Sequence, residues 1–359
     1  MPYPNRVSEN EFAQSVRTLD QIGEFGLIQQ VARPAAQGPS VLLGPGDDAA
    51  VVAAPDRRVV ASTDLLVEGR HFRRDWSSGY QVGRKAAAQN LADIAAMGAQ
   101  PTALLVGLSL PGDLEVSWAV ALADGMADES ALVDASVAGG DTTGGEQIVI
   151  AVTVLGDLAG RDPVTRSGAR PGDHVAIAGE LGWSAAGLAL LHRRDVRDAR
   201  DAQDAVPPEL AQCHAKALAR HRSPEPPYAA GPAAALAGAT AMLDVSDGLL
   251  ADLRHIAVAS GGVTIDLDPA LFPIAEPLRD LAKYLGLDPL AWFLTGGEDH
   301  ALAACFPADQ PLPPGWQPIG RVHPAAIPTP TPEVTVAGSP WPGAQGWEHF
   351  GPAGCGFLG

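Results

Sequence analysis

Aspartate recurs along this chain at the ends of short apolar runs, each time beside glycine or a small hydroxyl residue. The series is Gly46-Asp47-Asp48, Ser62-Thr63-Asp64, Gly139-Gly140-Asp141-Thr142-Thr143 and Asp244-Val245-Ser246-Asp247-Gly248. Asn90-Leu91-Ala92-Asp93 adds another from inside a helical stretch. One strand-end aspartate is ordinarily a helix N-cap or an Asx turn. Five such segments ask for a fold that gathers them. In α/β sheets, residues at the carboxyl ends of strands line one crevice, the usual ligand site. Carboxylates collected there repel one another unless a cation neutralises them, and hard oxygen ligands suit Mg²⁺ or Mn²⁺. Ser62 and Thr63 add oxygen ligands, and glycines 46, 139 and 140 let backbone N–H groups approach a phosphate.

The pattern around these segments predicts an α/β (α+β) fold. Strand-like runs are Val41–Leu43, Val59–Ser62, Leu104–Leu110 and Ile148–Leu155, with helices near Tyr80–Met97 and Leu114–Ser130. Both helices are rich in alanine, which permits close helix–sheet packing. A length of 359 residues exceeds what one core usually holds, and 46% hydrophobic residues can fill two. We divide the chain into an extension (1–22), an amino-terminal domain (23–160) and a carboxyl-terminal α/β domain with a proline-rich tail (161–359). In the second unit a turn at Arg170–Asp173 leads into a strand at His174–Ala178 and a helix at Ser184–Leu191. Further strand–helix pairs follow around Ala241–Ala259 and Val263–Leu267. The charged stretch His192–Ala205 reads as a solvated helix or surface insertion, and Gln310–Pro342 as irregular surface structure.

A net charge of -18 argues against a nucleic-acid partner, though not against anionic small molecules that arrive with a divalent cation. Three scattered cysteines give neither a disulfide framework nor a zinc site, and suit a reducing cytoplasm. Residues 1–20 are polar and charged, unlike a signal peptide, and no apolar run approaches the roughly 20 residues of a bilayer span. The chain thus reads as cytoplasmic, with no membrane partner. It has no G-x-x-x-x-G-K-S/T loop and no G-x-S-x-G elbow. Gly44-Pro45-Gly46-Asp47-Asp48-Ala49 fits a loose dinucleotide fingerprint, but its two aspartates would face an anionic pyrophosphate.

Nine motifs in register carry a family resemblance. They are Gly44–Ala49, Ser62–Asp64, His71-Phe72, Asn90–Ala99, Gly139–Thr143, Thr165–Asp173, Asp244–Leu249, Thr295–Asp299 and Gly346–Phe350. The series resembles the thiamine-monophosphate kinase family, within the superfamily typified by aminoimidazole ribonucleotide synthetase. That resemblance implies transfer of the γ-phosphate of ATP to thiamine monophosphate. It also implies a homodimer in which each amino-terminal domain adds a four-stranded sheet to a shared barrel-like core. By match to the family's motifs, Asp48, Ser62, Thr63, Asp64, Asp93, Asp141, Asp244 and Asp247 are the implied ligands of several magnesium ions. Gly140, Asp141, Arg166 and Ser246 are the implied ATP contacts, and His71, Glu298 and Trp347 the implied acceptor contacts. Two positions depart from the family pattern. His300 stands where tyrosine is usual after Gly-Gly-Glu-Asp, and Trp347 where tyrosine is frequent.

The chemistry of these residues is consistent with direct transfer. An acceptor phosphate with a second pKa around 6 is largely ionised near neutrality, so no catalytic acid or base is assigned. Arg166 suits a bidentate phosphate contact, and Trp347 offers a ring face to a cationic or heteroaromatic ring. Ser246 and Asp247 precede an apolar run and can cap a helix there. Lys85, Gln89 and Asp93, four residues apart, share one helix face, where Lys85 can pair with nearby carboxylates. A selenophosphate synthetase would need a reactive cysteine near the amino terminus, and the first here is Cys213. A non-catalytic sensor would be signalled by loss of a metal ligand, and no ligand position is lost.

Overall fold

In the computed structural model, residues 17–31, 37–45, 49–198, 206–325 and 334–347 are described. The chain opens with α1 (Leu19–Val31), kinked at Gly23, then β1 (Val41–Leu43), β2 (Val51–Val52) and β3 (Val60–Val67). α2 (Gly79–Ala96), β4 (Gln100–Leu110), α3 (Val116–Ala131), β5 (Ser136–Gly144) and β6 (Val149–Asp157) complete the first half. β3, β6, β4 and β5 lie in that order in a four-stranded sheet, antiparallel except for the parallel β4–β5 pair. Burial alternates strictly along β6, with Ile150, Val152 and Val154 turned under the helices. Among the described residues much of the other face of this sheet is uncovered, with Val41 and Val52 packing only at Ala103 and Ala138: Leu105 is 38% exposed and Leu65 55%.

The second half begins with β7 (His174–Ala178) and α4 (Trp183–Asp198), followed by α5 (Ala211–Arg222), α6 (Ala230–Leu236), β8 (Ala241–Val245) and α7 (Leu249–Ala259). β9 (Thr264–Leu267), α8 (Glu276–Leu285), α9 (Pro289–Thr295), β10 (Ala301–Phe306), β11 (Trp316–His323), β12 (Val334–Val336) and β13 (Ser339–Pro340) follow. Its seven strands run in the order β13-β12-β9-β11-β7-β10-β8. β8 and β10 are buried along their whole length. Leu243, Ala303 and Cys305 pack on the α7 side, whereas Met242, Leu302 and Ala304 pack with Ala95 and Ala96 of α2 and Ala234 of α6. α2 thus belongs to both cores.

Local chemistry explains why α2 can do this. Ser78 and Gln81 form a reciprocal capping box at its start. Ala86, Ala87, Ala88, Ala92 and Ala95 are fully buried and keep it slender. Gly83 and Gly125 bring α2 against α3: a Cβ on Gly83 would sit 2.0 Å from the Leu122 carbonyl oxygen, and one on Gly125 2.1 Å from that of Tyr80.

Three expectations are revised. Asp64 and Asp141 lie within β3 and β5 rather than beyond their ends, so strand faces, not strand ends, aim them. The described parts of the proline-rich stretch 310–342 are not wholly irregular. They supply β11, which sits between β7 and β9 with Trp316, Ile319 and Val322 buried. Its Pro318, which has no N–H to donate, is tolerated at a register shift between Pro318 and Gly320. The helix expected to stop near Leu191 continues to Asp198, carrying the first part of the charged stretch; residues 199–205 lie outside the described set. Among the described residues no helix is long and apolar enough to cross a membrane.

The α2–α3 contact gives a direct test. Gly83→Ala should destabilise the fold by about 2–3 kcal/mol, as overpacking against backbone does, read from urea unfolding. A change below about 0.5 kcal/mol would mean the two helices can part freely.

Candidate functional site

β3 and α2 meet along a polar seam. Ser62 Oγ donates to Asp93 Oδ2 at 2.6 Å, Gln89 Nε2 to Asp64 Oδ2 at 3.1 Å, and the Asp64 amide to Asn90 Oδ1 at 3.2 Å. Asp244, from β8 of the other sheet, faces the same seam, with His300 Nδ1 3.1 Å from its Oδ2. The consequence is electrostatic. Burial, then the charges of Asp244 and Asp64, push the Asp93 carboxyl up to about 7, while Ser62 and His300 pull the other way. Burial disfavours a charged His300, but the Asp244 hydrogen bond and charge outweigh it and raise its pKa.

Two turns from the second domain close the site. In the Ser246-Asp247-Gly248 turn, all three amides donate to Asp252 Oδ2, at 3.0, 3.1 and 3.1 Å. The capping role expected of Ser246 and Asp247 therefore falls to Asp252, one turn into α7, and neither side chain caps the helix. The second turn, Gly296–His300, lies against the first: the Glu298 amide donates to the Ser246 carbonyl at 2.8 Å and the His300 amide to that of Val245 at 3.0 Å. Glu298 and His300 both hold positive φ, at 63° and 53°. Such left-handed backbone costs a non-glycine residue about 1–3 kcal/mol and collects at functional sites. Asp299, between them, is buried and accepts the Gly182 and Ser184 amides at 2.6 and 2.7 Å.

Lys85 joins the two halves here. Its buried ammonium donates to the His71 carbonyl at 3.1 Å, the His221 carbonyl at 3.2 Å and Glu298 Oε2 at 3.0 Å. The expected pairing of Lys85 with a carboxylate is thus made with Glu298. Burial alone would raise the Glu298 carboxyl; Lys85, by its charge and its hydrogen bond, overcomes it and holds the group below its ordinary value. Burial and the neighbouring Lys85 depress His221 to about 3, so it is neutral. Its Nδ1 lies 3.1 Å from Ser184 Oγ. His71 Nδ1 accepts the Val67 amide at 3.0 Å, which leaves the proton of a neutral ring on Nε2.

These parts enclose a cavity of about 460 Å³. Asp64, Gln89, Asp247, Glu298 and His300 make a polar side; Ala185, Leu188, Ala291, Trp292 and Trp347 make an apolar one, with His71 and Ser246 also on the lining. Trp347 is placed by its amide, which donates to the Asp247 carbonyl at 2.9 Å, and by Gly346, where a Cβ would lie 2.7 Å from that oxygen.

Not every candidate converges. Thr63 turns to the uncovered face of the sheet, its hydroxyl donating to the Val152 carbonyl at 3.0 Å. Gly140 and Asp141 are exposed on β5, at the far edge of the sheet. Asp64, Val152, Val106 and Gly140 form one cross-strand row. Three strand spacings, roughly 14 Å, therefore separate its ends. Arg166 lies on an exposed loop alongside α7. Together with burial it lowers the pKa of His255 there, against the pull of Asp247. Asp48 falls outside the described residues. Among the described residues, no three His, Cys, Asp or Glu side chains form a ready-made metal cage. The donor chemistry nevertheless fits a hard cation: all the converging ligands are oxygens, and the raised Asp93 carboxyl marks a deficit of positive charge. Asp252, Asp299, Gln89, Asn90, Ser184 and His221 were not singled out by sequence as site residues. A carboxylate in the first turn after Ser-Asp-Gly was the one available signal, for Asp252.

Comparison with known proteins finds relatives along nearly the whole chain. The family described as AIR synthase related protein, N-terminal domain, matches residues 46–158. Thiamine-monophosphate kinase of Mycobacterium tuberculosis is 49% identical over 353 residues, covering 98% of this chain and 99% of that protein. The Corynebacterium glutamicum thiamine-monophosphate kinase is 41% identical, covering 87% and 90%. A solved structure of AaThiL complexed with AMPPCP and TMP superposes with a TM-score of 0.72 at 30% identity, covering 93% of this chain and 99% of that one.

Asp93 supplies a pH test. Its carboxyl shifts from an ordinary 3.8 to about 7 in the fold. The neutral form is thus favoured in the native state, and stability should fall as pH rises across that window when no divalent cation is present. Asp93→Asn should flatten this fall, leaving the part due to Asp252 and Asp299, which are also raised to about 7. Thermal unfolding in EDTA between pH 4 and 8 reads it; an unchanged slope would remove Asp93 as a source.

Proposed function

Because the chain belongs to the thiamine-monophosphate kinase family, we propose that it passes the γ-phosphate of ATP directly to the phosphate of thiamine monophosphate, yielding thiamine diphosphate and ADP. This would be the last step of thiamine diphosphate synthesis, run in the cytoplasm. The observation that carries the reading is the mixed lining of the cavity, which brings the carboxylates of Asp64, Asp247 and Glu298 together with two tryptophans and small apolar side chains. A phosphorylated acceptor with a cationic heteroaromatic ring needs both kinds of lining at once.

Asp64, Asp93, Asp244 and Asp247 would hold magnesium, with Ser62, Thr63, Asp48 and Asp141 as further ligands. Bound magnesium supplies charge neutralisation between two polyanions and these carboxylates. The chain's own residues do the rest. Gly140, Arg166 and Ser246 bind the nucleotide, Arg166 through the bidentate geometry guanidinium offers phosphate. Trp347 gives its face to the acceptor ring, a contact worth about 0.5–2 kcal/mol. Glu298, held ionised, meets the positive charge of the thiazolium, and His71, on the cavity lining, meets an acceptor oxygen. Near neutrality the acceptor phosphate is already largely ionised, and no side chain need remove its proton.

A homodimer completes this reading. The exposed Leu105 and Leu65 on the uncovered sheet face support a second copy packing there, with Leu65 also at the cavity rim. Gly140 and Asp141, at the sheet edge farthest from Asp64, would then serve a site shared between copies.

Incubation with ATP, Mg²⁺ and thiamine monophosphate should give thiamine diphosphate, none in EDTA, with free thiamine inert. Folded protein that binds ATP yet makes no product would send the acceptor assignment elsewhere. Asp64→Asn should cost about 100-fold or more in kcat, the scale of a lost metal contact, with the melting temperature nearly unchanged. A fully active variant would take Asp64 out of the ligand set. Light scattering should report twice the chain mass; a monomer would refute the shared site.

A further inference from the structure

Lys85 has no part in the chemistry proposed above, yet its surroundings are unusually specific. The residue is 2% exposed and lies on the α2 face that also carries Gln89 and Asp93. Its three acceptors come from three separate segments. They are the loop after β3 at His71, the last turn of α5 at His221, and the turn after α9 at Glu298. His71 and Glu298 line the cavity, and His221 holds Ser184, which lines it as well. One ammonium thus fixes three pieces of wall.

Glu298 depends on this contact most. Its backbone is pinned by the Ser246 carbonyl in a left-handed conformation. That pin sets where the side chain starts, and Lys85 sets where the carboxylate ends. Without the ammonium, a carboxylate in this half-buried position is a charge short of its partner. It must take up a proton or swing away, and the cavity loses its anionic group in either case. The nucleotide side is built differently: Arg166, Gly140 and the Ser246–Gly248 turn, held by Asp252, make no contact with the Lys85 ammonium.

We propose that Lys85 is a positioning residue for the acceptor, aiming the Glu298 carboxylate at the acceptor's cationic ring while leaving nucleotide binding untouched. The inference rests on the reading of His71 and Glu298 as acceptor contacts. It separates Lys85 from a merely structural pin, which would loosen both substrates alike.

Steady-state kinetics on the full chain with Mg²⁺, ATP and thiamine monophosphate decide it. Lys85→Met keeps the apolar stem and removes the charge. It should raise KM for thiamine monophosphate about tenfold or more, the scale of a charged hydrogen bond, with KM for ATP within about twofold. Glu298→Gln should raise the same KM. The double variant Lys85→Met/Glu298→Gln should be no worse than Glu298→Gln alone, because Lys85 acts through that carboxylate. Equal loss for both substrates, or penalties that multiply in the double variant, would overturn the proposal. If Lys85→Met fails to fold, the double variant, which leaves no unpaired charge, is compared with Glu298→Gln, and a further rise in acceptor KM overturns the proposal. A parent protein that does not phosphorylate thiamine monophosphate at all would sink the functional reading and this inference with it. An active parent whose acceptor KM is indifferent to Lys85→Met would sink the inference alone.

Discussion

A helix buried on almost every side must find partners for its polar residues inside the protein, and α2 meets this constraint by turning Arg84 to Glu129 of α3 and four others into one crevice. Its alanines and Gly83 let it sit against α3, the four-stranded sheet and the edge of the seven-stranded sheet together. Lys85, Gln89, Asn90 and Asp93 then have nowhere to go but the seam between the sheets. Each finds a partner of complementary chemistry there. Unpaired, any of them would cost more than its hydrogen bond returns. The same requirement that lets the helix be buried therefore builds the floor of the cavity.

Charge is distributed unevenly around that floor, and the unevenness has chemical content. Where Lys85 stands, the carboxylate of Glu298 is held ionised. Two turns along the helix, Asp93 faces Asp64 and Asp244 with His300 as the nearby cationic group, and its carboxyl is pushed up to about 7. One end of the crevice is thus neutralised by the protein, whereas the other leaves room for external positive charge. An acidic chain with net charge -18 could not otherwise admit polyanions. His300, in the position where the family pattern has tyrosine, sits on the boundary. Its Nδ1 lies 3.1 Å from Asp244 Oδ2, and that carboxylate raises the imidazole's pKa, so the position carries a basic group where a phenol would be acidic.

Much of this was legible in sequence, and what was not has a common cause. Strand and helix cores were readable because apolar periodicity is local: His174–Ala178 is matched residue for residue and α2 to within one residue at each end. The aspartate series led to several residues that converge at the seam, Asp64, Asp93 and Asp244, but for a partly mistaken reason. Asp64 is aimed by the two-residue alternation of β3, not by the strand's end. β11 was hidden because prolines around it outweighed Trp316, Ile319 and Val322 in a local reading, although two neighbouring strands hold it. Asp252, Asp299 and His221 were invisible as site residues because their roles are defined by amides and side chains that the fold brings near. Buried carboxylates that gather two or three backbone N–H groups fix turns rigidly, yet carry no motif of their own.

Alternation along β3 also ties the site to assembly. Ser62 and Asp64 face α2, whereas Thr63 faces the opposite side, in a row with Thr153 and Leu105. A slip of one residue would exchange the two sets entirely. Polar carboxylate would then point to the uncovered face, and the crevice would lose the oxygen atoms that meet Gln89 and Asp93. The eight-residue pairing of β3 with β6 holds this register. On the dimeric reading, a second copy packed on the Thr63–Leu105 face would reinforce it from the other side. The strand that carries the ligands would then be stabilised by the contact that brings Asp141 of a second copy into reach, so that association and site formation would depend on a single register.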